Sequence, residues 1–209
     1  MRGKLITLEG PEGAGKTVLA KRLVEELTRR GHRVRSTREP GGTRLGERIR
    51  AIVLEHAEGA EAAQVDPRAD ALLFNAARAQ LVAEVIRPAL AAGEVVVCAR
   101  FADSTLAYQG YGAGLPIGEL RALAAIATGG LAPDLTILLD VPPEIGLGRK
   151  TGASRNRFES SFDLAFHQRV RAGFLQLAAD EPERFRVVDS ARRIDVVAPD
   201  VIAAALWIL

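Results

Sequence analysis

The chain contains a single cysteine, Cys98, and therefore cannot form a disulfide between two of its own residues. Secreted domains of modest size commonly rely on such bridges, so this composition favours a reducing compartment. No apolar run reaches the length of a membrane span, and the first residues lead into a strand-like segment instead of a signal peptide. We therefore expect a cytoplasmic protein without a membrane partner.

An excess of charge of one sign is also missing. The chain has 28 Lys and Arg residues against 26 Asp and Glu residues, which gives a formal net charge of +2, and it has no long basic run. Nucleic-acid-binding surfaces are usually strongly basic, so nucleic acid is not expected as a partner. Internal repeats and low-complexity linkers are lacking too, and 209 residues with 48% hydrophobic content predict a single domain, residues 1–209.

The most informative stretch is GPEGAGKT at residues 10–17, which fits G-x-x-x-x-G-K-[ST] at every fixed position. An apolar run of strand length precedes it, and apolar residues at helical spacing follow it. A phosphate-binding loop needs this placement, because backbone N–H groups and a helix N-terminus then face the same anion. The competing interpretation is a chance glycine-rich turn. The predicted ATP-phosphate-binding residues are Gly10, Pro11, Glu12, Gly13, Ala14, Gly15, Lys16 and Thr17.

Strand-like runs alternate with helical patterns along the chain, at residues 5–8, 34–37, 95–98, 135–139 and 186–188. Such alternation predicts a parallel sheet with helices on both faces. Ligands of these sheets bind beyond the carboxyl ends of the strands, so the residues that follow each strand are the candidates for a site. After the first strand, Lys16 is predicted to reach the outer phosphates of a nucleotide and Thr17 to ligate Mg²⁺ through its hydroxyl.

The segment after the third strand is rich in polar side chains. It offers Arg100, the hydroxyls of Ser104 and Thr105, the phenol of Tyr108 and the amide of Gln109 within a short span. An arginine suits a phosphate, and the other groups suit the polar lining of a small-molecule pocket. The sequence therefore places a candidate ligand site here.

A helix is predicted to begin with Asp66 as its N-cap and Pro67 in its first turn. Phe74 and Arg78 are four residues apart and lie on one face of that helix. Phe74 by itself is more often a core residue. Beside a guanidinium, however, an aromatic ring also suits a nucleobase, which can be stacked and hydrogen-bonded.

Four arginines crowd the turn and helix that follow the second strand. Arg44 and Arg48 are interpreted as part of a solvated helix face. Arg38 and Arg50 fit a surface position and a site position equally well. Thr43 is predicted to cap the helix that carries the last three of these arginines.

Four stretches together resemble the thymidylate kinase family. They read EGPEGAGKT (9–17), REPGGT (38–43), RFADSTLAYQGYG (100–112) and LLDVPPE (138–144), they lie in the family's order, and their spacing covers nearly the whole chain. The resemblance implies an α/β fold of the P-loop NTPase type, a parallel five-stranded sheet with helices on both faces and a short lid at about residues 148–160. It also implies a homodimeric nucleoside monophosphate kinase that uses ATP and Mg²⁺ to convert dTMP to dTDP.

The resemblance assigns roles to the residues around the nucleobase. Phe74 is expected to stack on the thymine ring, and Arg78 is expected to hydrogen-bond the base. Ser104 and Thr105 are expected to line the base pocket, with Gln109 close by.

Nearer the phosphates, the resemblance implies that Arg100 holds the phosphate of dTMP with help from Arg38 or Arg50. Tyr108 is expected to lie under the sugar and to exclude a 2′-hydroxyl. Glu12 is expected to approach the 3′-hydroxyl of the acceptor.

The basic segment from residue 149 to residue 157 fits either a surface loop or a lid that closes over ATP and excludes water. The phosphate-binding loop carries no arginine, and members of the resembling family that lack one there supply it from the lid. Among Arg149, Arg155 and Arg157 we favour the first two for stabilising transition-state charge. The predicted catalytic set is Lys16, Glu12, Arg100, Arg149 and Arg155.

One position departs from the family pattern, which has Asp-Arg at the end of the third strand where this chain has Ala99 and Arg100. The resemblance implies that the missing carboxylate orients Mg²⁺ or its waters. Three interpretations are open: an engineered inactive variant, a natural nucleotide-binding protein with poor turnover, or compensation by an acid such as Glu12 or Asp103. We predict weak activity with dTMP binding retained. The alternatives are a non-catalytic nucleotide-binding protein and a related P-loop kinase with another acceptor.

Overall fold

The computed structural model describes residues 2–54, 65–149, 157–160 and 162–209. Within that part of the chain, five strands form one parallel sheet in the order β2-β3-β1-β4-β5. Each predicted strand agrees with an observed strand to within one residue at either end, and the predicted five-stranded α/β fold is confirmed. The strands are β1 (Leu5–Glu9), β2 (Val34–Arg38), β3 (Val95–Ala99), β4 (Leu135–Asp140) and β5 (Phe185–Asp189).

Helices connect the strands and cover the sheet. Two segments with π-helical hydrogen bonding, Val82–Ile86 and Leu106–Gly112, continue α3 and α5 without a break. The helices are α1 (Lys16–Arg29), α2 (Arg44–Leu54), α3 (Pro67–Leu81), α4 (Arg87–Ala91), α5 (Ala102–Thr105), α6 (Ile117–Thr128), α7 (Pro143–Gly148), α8 (Arg157–Ser160), α9 (Leu164–Asp180) and α10 (Ile194–Leu206).

The side chains of β1 alternate between two helical layers. Ile6 and Leu8 pack into a buried cluster with residues of α1 and α10, whereas Leu5 packs into a separate cluster with Leu81 of α3. Because successive side chains of a strand point to opposite faces, Thr7 and Glu9 share the side of Leu5. This alternation turns the carboxylate of Glu9 toward the segment that follows β3.

Capping residues set the starts of two helices as the sequence predicts. The backbone N–H of Gly46 donates to the hydroxyl of Thr43 at 2.9 Å, and the N–H of Arg68 donates to the Asp66 carboxylate at 2.8 Å. Each of these bonds satisfies a donor that the first helical turn leaves free. The two caps mark where α2 and α3 begin.

Proline lacks a backbone N–H, so the sequence predicts that one helix bends or stops before Pro88 and that the last helix is interrupted near Pro199. Neither helix stops at its proline. The helix that begins with α3 continues past Pro88 through the Val82–Ile86 segment and α4, and the N–H of Arg87 donates to the carbonyl of Val82. Pro199 lies inside an unbroken α10. The buried side chains of α10, including Val197 and Val201, pack against α1, and this packing outweighs one missing hydrogen bond.

None of the helices in the described ranges combines the length with the apolar character that crossing a membrane requires. Of the predicted lid, residues 148–160, the structure describes the end of α7 and the short helix α8. The predicted catalytic residue Arg155 lies outside the described residues.

Candidate active site

A cavity of about 370 Å³ opens at the carboxyl ends of the central strands. It is lined by residues of the phosphate-binding loop, the turn after β2, the helix α3 and the segment after β3. The structure therefore brings the separate predicted groups to one place, while Gly10, Pro11 and Ala14 of the predicted set are buried behind the lining. The predicted residues on the lining are Glu12, Gly13, Gly15, Lys16, Thr17, Arg38, Arg50, Phe74, Arg78, Arg100, Ser104, Thr105, Tyr108, Gln109 and Arg149.

The phosphate-binding loop joins β1 to α1, as the sequence predicts. Gly13 and Gly15 have φ angles of 69° and 85°, a left-handed conformation that glycine adopts without a steric penalty. Between them the chain turns sharply, and α1 begins at Lys16 with its N-terminus at the cavity. The Lys16 ammonium donates to the carbonyls of Gly10 at 2.9 Å and Pro11 at 2.6 Å, so it lies across the loop.

Arg100 lies between the loop and the helix that follows β3. Its Nη2 donates to Glu12 Oε1 at 2.6 Å and to the Tyr108 hydroxyl at 3.2 Å, and that hydroxyl donates to Glu12 Oε1 at 3.0 Å. Burial raises the pKa of Tyr108 well above its ordinary value, so the phenol stays protonated as a donor. The three side chains form a closed cluster in which Glu12 occupies the position of an anion on Arg100.

Glu9 is a site residue to which the sequence analysis gave no role. Its carboxylate is fully buried and accepts from the backbone N–H of Phe101 at 2.6 Å and from the N–H and hydroxyl of Ser104 at 3.2 and 2.6 Å. Burial, with the nearby charge of Asp103, raises the pKa of Glu9 to about 7. Its place at the carboxyl end of an apolar strand was the signal that could have found it.

At the far end of the cavity, the guanidinium of Arg78 is buried and held on several sides. It donates to Glu39 Oε2 at 2.9 Å, to Asn75 Oδ1 at 2.7 Å and to the Thr105 hydroxyl at 3.1 Å. Burial raises the pKa of Glu39, and the charge of Arg78 opposes that rise. An arginine has five N–H donors in a fixed plane, so these bonds lock the orientation in which Arg78 meets the cavity.

Phe74 faces the same end of the cavity as Arg78. Its ring centroid lies 5.8 Å from that of Phe158, which in turn meets Tyr108 edge-on at 5.7 Å. Phe74 is half-buried and also packs against residues of α2. The core interpretation and the ligand interpretation of Phe74 are thus both compatible with its position.

Arg38 and Arg50 both line the cavity. Arg38 is exposed and forms an ion pair with Glu47 at 3.0 Å, whereas Arg50 donates to the carbonyl of Pro40 at 2.9 Å. Burial lowers the pKa of Arg50, with Arg38 adding to the effect. Both guanidinium groups are therefore available at the cavity, and the side chain of Arg50 is less exposed to solvent than that of Arg38.

Two candidate lid arginines have different surroundings. Arg149 donates to the carbonyls of Gly13 at 3.2 Å and Ser190 at 2.9 Å, so it bridges the phosphate-binding loop and the turn after β5. Arg157 is buried and donates to Asp70 Oδ1 at 2.6 Å and to the Val53 carbonyl at 3.1 Å. Arg157 therefore fastens α8 to α2 and α3, which agrees with preferring Arg149 to it.

Ala99 ends β3 and lines the cavity. The acid Asp103, considered as a substitute for a missing carboxylate at this position, forms an ion pair with Arg184 at 2.7 Å and is 4% exposed. Its two carboxylate oxygens both accept from that guanidinium, so the structure engages Asp103 away from the described cavity lining. Glu9 and Glu12 are the carboxylates nearer to the loop and to Arg100.

Comparisons with a family model and with individual relatives point to the same family. The family model described as thymidylate kinase matches residues 8–201. A thymidylate kinase of Deinococcus radiodurans is 52% identical over 204 residues, covering 97% of this chain and 96% of the relative. Thymidylate kinases of Solidesulfovibrio magneticus and Roseiflexus castenholzii are 51% and 48% identical, covering 97% and 95% of this chain and 96% and 90% of the relatives.

Proposed function

The chain belongs to the thymidylate kinase family, and we infer that it transfers the γ-phosphoryl group of ATP to a phosphate oxygen of dTMP, giving ADP and dTDP. The observation that carries this inference is the shared cavity. It is lined at one end by Lys16 and Thr17 of the phosphate-binding loop and at the other by Phe74 and Arg78, with Arg100 between them.

On the donor side, the loop N–H groups, the N-terminus of α1 and Lys16 bind the phosphates of ATP. The Lys16 ammonium exchanges the loop carbonyls of Gly10 and Pro11 for phosphate oxygens, which are stronger acceptors because they are charged. This charge neutralisation, together with in-line positioning, supplies the catalysis, and the transfer needs no covalent enzyme intermediate.

On the acceptor side, Phe74 stacks on thymine and Arg78 donates to the base, with Thr105 and Gln109 beside it and Ser104 at the phosphate end of the cavity. The dTMP phosphate replaces Glu12 on Arg100, with Arg50 or Arg38 assisting. Glu12 is then released toward the 3′-hydroxyl. Tyr108, which bonds both Glu12 and Arg100, stays beneath the sugar and leaves little room for a 2′-hydroxyl.

Mg²⁺ is the metal that we propose for this site. The described residues contain no group of three or more His, Cys, Asp or Glu side chains that could hold an ion by themselves. This fits Mg²⁺, which usually keeps several waters and is bound by few protein groups together with substrate phosphates. Thr17 on the cavity lining is the proposed protein ligand, and the ion would neutralise charge on the phosphoryl oxygens.

The lid contributes Arg149 and Arg155 in this proposal. Arg149 already touches the loop through the Gly13 carbonyl, so a small rotation of its side chain would aim the guanidinium at the phosphates. Closure of the lid would exclude water and protect ATP from hydrolysis. Substitution of Arg149 by methionine, measured as the loss of kcat with an unchanged dissociation constant for dTMP, tests its part.

A kinetic screen with ATP and Mg²⁺ tests the proposed function. We expect dTMP to give a higher kcat/KM than dUMP, UMP or CMP, because Phe74, Arg78 and Tyr108 recognise thymine and deoxyribose. A higher kcat/KM with UMP or CMP would identify a related kinase with another acceptor. Tight binding of ATP and dTMP without release of ADP at high enzyme concentration would identify a non-catalytic binding protein.

We also propose that the protein works as a homodimer in the cytoplasm. Ile52 on α2 and Leu72 on α3 are each 59% exposed, and these two helices pack side by side. An apolar surface of this kind supports pairing with a second copy. Sedimentation of the wild type and of the Ile52→Glu variant tests the assembly, and a monomeric wild type would contradict it.

A further inference from the structure

The guanidinium of Arg100 has two halves with different partners. Its Nη2 contacts Tyr108 and also Glu12, which the phosphate of dTMP replaces in the proposed function. Its Nη1 donates to the carbonyl of Gly10 at 3.3 Å and to the hydroxyl of Ser104 at 3.1 Å. The first half faces the Glu12 carboxylate that the phosphate displaces, and the second half is held by groups that stay in place.

The Ser104 hydroxyl links Arg100 to Glu9. It donates its one proton to Glu9 Oε2 at 2.6 Å, so its oxygen lone pairs remain to accept from Arg100. Glu9 is itself fixed from below by the N–H groups of Phe101 and Ser104. A chain of hydrogen bonds thus runs from Arg100 through Ser104 to a buried carboxylate.

Arg100 needs this support because its own backbone is unusual. Its φ angle is 71°, in the left-handed region that non-glycine residues rarely adopt. A residue in that region is held there by its surroundings, and the Ser104–Glu9 link holds the side chain that this backbone carries. The Arg100 side chain is consequently held through its backbone at one end and through Nη1 at the other.

We propose that Glu9 is a positioning residue for dTMP binding: acting through Ser104, it holds Nη1 of Arg100 in place while Nη2 exchanges Glu12 for the phosphate of dTMP. The proposal rests on the function proposed above and extends it to two side chains. Neither contacts the reacting atoms in this scheme, so their effect falls on acceptor binding and not on the donor site.

The link also makes acceptor binding depend on pH. Among the described charged groups, Asp103 on α5 raises the pKa of Glu9 and Arg100 lowers it. Arg184 in turn forms an ion pair with Asp103. Cys98 on β3 stays a neutral thiol, because burial raises its pKa. With a pKa of about 7, Glu9 is ionised above neutral pH and takes up a proton below it. The anchor on Arg100 therefore weakens as the pH falls through 7.

The test measures the dissociation constant of dTMP by calorimetry and the kinetic constants for both substrates. In Glu9→Gln and in Ser104→Ala we expect the dissociation constant of dTMP to rise about tenfold, since a charge-assisted link is lost. The KM of ATP should stay within about twofold, because the donor site is untouched. Ser104→Thr, which keeps the hydroxyl, should restore binding, and the exposed Ser36→Ala is the matched serine control.

Coupling between the two positions separates this role from a general structural one. If Ser104 acts through Glu9, the double variant should bind dTMP no more weakly than either single variant. Independent tenfold losses that multiply to about a hundredfold would overturn the proposal. So would an ATP KM that rises in parallel with the dissociation constant of dTMP.

The pH profile of the wild type provides a measurement that needs no variant. Between pH 6 and pH 8 we expect dTMP binding to follow one enzyme group near pH 7 in addition to the phosphate of the nucleotide, whose second pKa is about 6. Glu9→Gln should retain only the nucleotide's own titration. A wild-type profile that the nucleotide alone explains would overturn the proposal. A wild type that does not bind dTMP at all would instead refute the proposed function.

Discussion

Replacing Gly13 by alanine should displace the phosphate-binding loop, because two penalties act at this position. Gly13 has a φ angle of 69°, where an L-residue costs about 1–2 kcal/mol. An added Cβ would also overlap the carbonyl oxygen of Gly146 in α7 and lie 2.7 Å from its Cα. These are backbone atoms and cannot rotate away as a side chain would, so the loop or α7 must shift.

The two penalties together predict a measurable loss of stability and activity. Overpacking adds roughly 1–3 kcal/mol to the strain, for a total of about 2–5 kcal/mol. For a protein of this size each kcal/mol lowers Tm by roughly 2–4 °C, so Gly13→Ala should lower Tm by about 4–20 °C. A shift of about 1 Å in a positioning element can lower the rate ~10²-fold, and we expect kcat/KM for ATP to fall by about that factor.

Gly31→Ala is the matched control. Gly31 has a φ angle of 90°, and no described heavy atom lies within 4 Å of an added Cβ. This variant carries the strain alone and should lower Tm by about 2–8 °C while leaving the kinetic constants unchanged. Differential scanning fluorimetry and a coupled assay for ADP at varied ATP give both readouts. If Gly13→Ala keeps the ATP kinetics of Gly31→Ala, the close approach of the loop to α7 does not shape the donor site.

Three further variants test other parts of the site. Ala99→Asp should raise kcat with dTMP by ~10²-fold at unchanged dTMP affinity, because a positioned carboxylate near the transferring phosphate is restored; a stopped-time assay that finds no gain would mean that it was never needed. Arg157→Met should destabilise the fold by about 3–5 kcal/mol, since Asp70 is left buried without its cation, and denaturant unfolding should show a smaller loss when Asp70→Leu is added. Arg78→Lys should weaken dTMP binding at least about tenfold in calorimetry while ATP binding is kept, because the three donors of an ammonium cannot replace the guanidinium bonds to its four protein partners and also reach the base; equal losses for both nucleotides would contradict this.

The sequence predicts β1, β3 and β4 well because each is a short, mostly apolar run in which all residues, or all but the last, are buried. It also predicts the phosphate-binding loop, since glycines at fixed spacing report directly on backbone conformation. Because ligands of parallel sheets bind beyond the strand ends, the sequence also predicts that residues from distant segments meet at one cavity. For these features, local chemistry is enough.

Partnerships between distant side chains were not predictable in the same way. Glu39 as the partner of Arg78 and Asp70 as the partner of Arg157 depend on how the turn after β2 and the helices α3 and α8 pack, and no periodicity encodes that. Asp103 could be considered as a substitute acid only because a sequence does not show that Arg184 already holds it. Two prolines suggested helix breaks because a local rule takes no account of the packing that keeps a helix intact.

The anchoring of α8 by Arg157 constrains how this enzyme can be altered. The short helix α8, which lies within the predicted lid, is bound to Asp70 of α3 and to the Val53 carbonyl of α2, and its Phe158 shares an aromatic contact with Phe74. A lid transplanted from a relative would therefore arrive without its docking partners unless α2 and α3 were exchanged with it. Lineages that diversify the lid should accordingly change these two helices in concert, and chimeric kinases are best joined outside all three segments.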